Sequence, residues 1–219
     1  GSTLEEEVAE AFLAALDAGA PLWELHLRIV LYLETGELPV RQNDMMARFV
    51  TSRLSRVELG KGSEDWGAGA VGVATDVLCT LAAAHRIDSK QIAGQDIREA
   101  VEASLPPKEE RSRRLESAVR KVLAESNLLR QVGKHWTLTH PLFTDYLAAR
   151  HLASENQEED AIEATVALLQ AHLDDPTWLI LTEFYAGFAD AGDLADLLIL
   201  ASETEGDREA LLRAARWGI

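Results

Sequence analysis

At 219 residues, 47% hydrophobic and 26% charged, the chain can bury one good core or two modest ones, which argues against a disordered segment. Its 21 basic and 37 acidic residues give a net charge of −16, which opposes general attraction to phosphate backbones or anionic lipid. One cysteine, Cys79, cannot close an intramolecular disulfide. With no signal peptide and no apolar run of bilayer length read from the sequence, a cytoplasmic setting is expected.

Six prolines and long stretches rich in Ala, Leu and Glu predict a mainly α protein. Gly1-Ser2 reads as a cloning remnant, so the natural chain is expected to begin earlier. In the first region, residues 1–60, helices are expected over 5–16, 22–34 and 44–57. The second is apolar on nearly every side and should be a buried central helix. The third carries Met46, Phe49, Val50, Leu54 and Val57 at three- and four-residue spacing, with Asn43 or Asp44 placed to cap it. Residues 59–69 carry loop chemistry and suggest a boundary.

The second region, residues 61–155, should hold helices over 71–85, 95–105 and 110–126, the middle one ended by Pro106-Pro107. The period then changes. Residues 128–132 and 135–139 read as two short strands around Gly133-Lys134. Three helices followed by a hairpin is the order of a winged helix. In the helix expected after His140, Phe143, Leu147 and Leu152 are placed inward and Asp145 and Arg150 outward. The third region, 156–219, returns to helices near 161–173, 177–188, 194–202 and 208–216. Short connections there predict antiparallel pairs, the start of an α-solenoid-like array that should continue past Ile219.

Several apparent active-site motifs fail on context. Gly67-Ala-Gly-Ala-Val-Gly72 has the G-x-G-x-x-G spelling but lacks the preceding strand that a dinucleotide site needs. Gly60-Lys61-Gly62-Ser63 has neither the upstream glycine nor the Ser or Thr after the lysine that define a P-loop. The six histidines show no zinc-ligand spacing, and no nucleophile elbow is present. No catalytic site, resident cofactor or metal is therefore expected.

The passage from Trp136 to Ala153 carries more information. His140-Pro-Leu-Phe143-Thr144-Asp145-Tyr146-Leu147-Ala148-Ala149 resembles the signature closing the winged helix of NACHT-type STAND NTPases, apolar-x-His-x-x-Phe-Gln-Glu-Tyr-Leu-Ala-Ala. Asp145 stands for its Glu and Thr144 for its Gln, and Pro141 directly after the histidine is less usual, though suited to a first helical turn. Ala20-Pro21-Leu22 followed by an apolar helix and Gly36-Glu-Leu-Pro39 is similar to the family's Asn-Pro-Leu and Gly-x-Leu-Pro segment. The stretch from Trp178 to Phe188 is similar to the helix following its winged helix.

The resemblance spans most of residues 21–188 and implies a regulatory segment C-terminal to an ATPase core. It implies that His140 donates a hydrogen bond to the phosphate of ADP in the resting state and that Pro21 packs on adenine. Both roles would exist only in an intact parent protein that supplies the Walker A lysine and Mg²⁺ with ATP or ADP. The implied partners are the upstream NTPase core of the same chain and, on activation, other protein subunits in innate immune or antiphage signalling. Two alternatives stand beside this: a winged-helix DNA-binding transcription regulator and a helical protein-interaction scaffold. The first draws on residues 108–134, which hold eight basic against four acidic residues.

Overall fold

The computed structural model describes residues 13, 22–36, 41–57, 67–107, 113–155, 159–172 and 175–188. The protein is mainly α, with one small antiparallel three-stranded sheet. The chain divides into two compact units, Gly1–Phe49 and Val50–Ile219. The helices expected over 5–16, 194–202 and 208–216 fall essentially outside the described residues, as do Pro21 and the loop residues before Gly67.

In the first unit, α1 (Leu22–Thr35) ends where Gly36 takes a φ of +72° and its N–H bonds to the carbonyl of Tyr32. That left-handed conformation suits glycine, which has no Cβ to clash. Leu25, Leu27 and Leu31 are buried, but Ile29 is 44% and Leu33 77% exposed, so α1 is not apolar-buried on every side as its composition suggested. The helix α2 (Gln42–Ser55) runs from the end of this unit into the second, and it buries Met45, Met46, Phe49, Val50 and Leu54. It begins ahead of Asn43 and Asp44, which therefore lie inside its first turn rather than capping it.

The second unit is built on α3 (Gly67–Arg86), which is long and apolar enough to cross a membrane by length and composition alone. Here it is a core helix: Ala74, Val77, Leu78, Leu81 and Ala82 are all buried. Gly67 and Gly69 belong to its first turn, so the helix starts inside the stretch expected to be loop. After α3 come β1 (Ile92–Ala93), α4 (Gly94–Ser104), α5 (Arg113–Glu125), β2 (Leu129–Val132), β3 (His135–Leu138) and α6 (Pro141–Glu155). Then follow α7 (Glu159–Gln170) and α8 (Leu179–Ala186).

The sheet order is β1-β3-β2, with Ile92 opposite Trp136 and Leu129 opposite Leu138. Helix, strand, two helices and a hairpin whose second strand lies central is winged-helix topology. The hairpin closes through Gly133-Lys134 with Gly133 at φ +64°, the two-residue turn whose twist matches its flanking strands. α3 packs against α4, α5 and α6, and α6 packs against α8 on its other side. Leu78, Val119, Val122, Leu147 and Phe184 are sealed within these contacts. Each large apolar side chain so buried contributes roughly 1.5–3 kcal/mol.

Candidate functional site

His140 stands where the sheet hands the chain to α6. Thr139 N–H extends the ladder to the carbonyl of Leu128 at 3.0 Å, and the chain then turns into a helix whose first residue is Pro141. Proline suits that position because its φ is preset and its missing N–H would have had no helical partner. The next N–H, that of Leu142, donates to His140 Nδ1 at 3.1 Å. The carbonyl of His140 accepts from Phe143 and Thr144 at 3.1 and 3.4 Å. The imidazole thus serves as the N-cap of α6, a task usually given to Ser, Thr, Asp or Asn.

This bond fixes the ring's chemistry. A nitrogen that accepts from a backbone N–H carries no proton, so the neutral ring keeps its hydrogen on Nε2. The ring is exposed, and it approaches Phe143 edge-on with centroids 5.8 Å apart. The arrangement presents a single N–H donor, oriented by the helix start, to whatever approaches the rim. Pro21, the other expected site residue, lies outside the described residues.

Behind His140, Asp145 departs from expectation. Placed outward by helical periodicity, it is 7% exposed, and its Oδ1 accepts from Arg86 Nε at 2.6 Å. Burial pushes its carboxyl above the ordinary carboxylate range, and the hydrogen bond and charge of Arg86 pull it back. Arg86, the last residue of α3, also donates from Nη2 to the carbonyl of Thr177 and lies over the Trp178 ring at 4.6 Å. Trp178 in turn stacks on His172 with centroids 3.9 Å apart and planes 5° from parallel. One guanidinium therefore ties the end of α3, the first turns of α6 and the approach to α8 together. Arg86 is not legible as a partner in the sequence, because 59 residues separate it from Asp145 and no local spacing links the two.

The basic stretch is partly spent on itself. On α5, Arg120 bonds Glu116 at 2.9 and 3.2 Å, and Lys121 lies 3.9 Å from Glu125. Arg113, Arg114, Arg130 and Lys134 are exposed, whereas Lys108 and Arg111 fall outside the described residues. Cys79 is buried in α3, and desolvation pushes its thiol up to about 12, so it is an inert core residue at neutral pH. Among the described residues no group of three or more His, Cys, Asp or Glu could hold a metal ion. No protein-family model matches the sequence, and no curated protein matches it.

Proposed function

We propose that this chain is a non-catalytic regulatory segment of a NACHT-type signalling ATPase, which holds the ADP-bound resting state through its winged helix. The observation that supports this best is the capping bond of His140, which leaves an exposed Nε2–H as an oriented donor. Such a donor suits a terminal phosphate oxygen carried, with Mg²⁺, by the NTPase core of the same chain in the cytoplasm. A hydrogen bond to an ionised group across a domain boundary makes that contact depend on which nucleotide is bound. The helices after residue 156 would then lead into a sensor or oligomerisation array that meets other subunits.

The test must separate the capping task from the switching task, because His140→Ala removes both. His140→Ser keeps a good N-cap and loses the long-reaching donor. In a full-length protein containing this chain, His140→Ser is expected to release ADP about tenfold faster and raise basal signalling, a loss of one charge-assisted hydrogen bond. Its unfolding midpoint should stay near wild type, while His140→Ala should lose about 1 kcal/mol. Wild-type ADP retention in His140→Ser would sink the proposal.

A further inference from the structure

A cavity of about 420 Å³ opens beside the start of α6, on the hairpin side of the Arg86–Asp145 pair. Its wall carries Arg130 from β2, Thr137 from β3, Thr139 from the strand-to-helix junction and Thr144 from the first turn of α6. Arg130 and Thr137 are cross-strand partners, so the sheet register sets them on one face. His85 also lines it, with Nδ1 paired to the carbonyl of Lys90 at 3.0 Å.

The polar groups here are donors with little to do. Among the described residues Arg130 makes no hydrogen bond or ion pair, and the hydroxyls of Thr139 and Thr144 have no bond of their own. Thr137 Oγ1 reaches only the neighbouring carbonyl of Leu138, at 3.2 Å. The one carboxylate in the lining, Asp145, is already neutralised by Arg86. Two guanidiniums against one carboxylate leave the lining positive in a chain whose net charge is −16.

We propose that this cavity is a binding site for a phosphoryl group, held by the Arg130 guanidinium and the hydroxyls of Thr137, Thr139 and Thr144. A planar carboxylate is satisfied by one forked arginine, whereas donors arriving from β2, β3, the junction and α6 suit a tetrahedral anion with three free oxygens. The size admits a phosphate-bearing small molecule rather than a lone ion. Thr177 forms part of the rim and its carbonyl is bonded to Arg86, so occupancy would be felt at the approach to α8. The site does not use the His140 ring and requires none of the switch reading above.

Titration calorimetry of the 219-residue chain with pyrophosphate, inorganic phosphate, ADP and acetate tests it. Saturable pyrophosphate binding is expected, with none for acetate. Arg130→Gln should weaken pyrophosphate binding about tenfold or more. Lys134→Gln, an equal charge loss at the hairpin turn outside the cavity, should leave it unchanged. Pyrophosphate bound as tightly as ADP would mark a nucleoside-free ligand, and ADP bound at least about tenfold tighter a nucleotide. No saturation by either up to about 10 mM, or equal weakening by Arg130→Gln and Lys134→Gln, would overturn the proposal.

Discussion

Small polar contacts decide how the winged helix is punctuated. Asp96 sits in the first turn of α4, where its Oδ2 accepts the Ala93 N–H at 2.6 Å and its Oδ1 lies 2.8 Å from Lys90 Nζ. Those partners, the lysine first and the backbone N–H second, hold its carboxyl below the ordinary range. A lowered pKa gives stability that is present above the unfolded value and lost as pH falls through the folded one. Asp96→Ala should therefore cost about 1 kcal/mol near pH 7, the usual worth of a helix-start acceptor. In urea unfolding the gap to wild type should narrow as the pH is lowered toward about 3; a constant gap would show that the charge of Asp96 does not matter. Asn127 does comparable work between α5 and β2, where its φ of 59° lets the chain reverse, a conformation asparagine tolerates better than most.

Among the elements, one side chain links α3, α6 and the approach to α8. Removing Arg86 would leave Asp145 buried without its counter-ion and free the Thr177 carbonyl and the Trp178 face at once. Breaking a buried pair from one side costs roughly 3–5 kcal/mol. Because Arg86 keeps some solvent contact, Arg86→Ala should lose about 2–4 kcal/mol in chemical denaturation. Asp145 can escape the penalty by taking a proton. Its raised carboxyl gives stability that is full below the ordinary pKa and lost as pH rises through the folded value, so the Arg86→Ala deficit should shrink in acid. A pH-independent deficit, or one below about 1 kcal/mol, would show that the pair does not carry the junction.

How far these elements could be read from the chain varied with their period. α3, α5 and the β2-β3 hairpin announce themselves through long runs or a clear change of spacing, and their buried residues Val77, Leu78, Val119 and Val122 follow. β1 does not, because two residues, Ile92 and Ala93, are too few for alternation to register. The imidazole of His140 was legible as a boundary residue, but its capping bond was not, since it depends on the ring's rotation against Leu142. Asp145 was misplaced for a related reason: periodicity reports faces, and only the fold shows that α3 ends in an arginine able to neutralise an inward carboxylate.

At the scale of the whole molecule, the α5 and wing geometry of a DNA-binding winged helix is present, but the electrostatics run against that use. Arg120 and Lys121 are shared with carboxylates one turn away, and the exposed cations that remain sit on a chain of net charge −16. Non-specific duplex affinity rests on phosphate neutralisation and falls steeply with salt. Fluorescence titration with duplex DNA at about 0.15 M salt should therefore give no saturable binding. A tight isotherm with a steep negative salt slope would favour the transcription-regulator reading instead.

The place of α3 also bears on how the protein is made. It is the most membrane-like stretch of the described chain, and part of its cover, α6, is encoded by residues 141–155, well downstream of its own end at Arg86. During synthesis α4 and α5 emerge early enough to dock on the helix first, while its contact with α6 waits for later residues to be made. Until α6 emerges, the flank of that helix which α6 will cover stays open to chaperones.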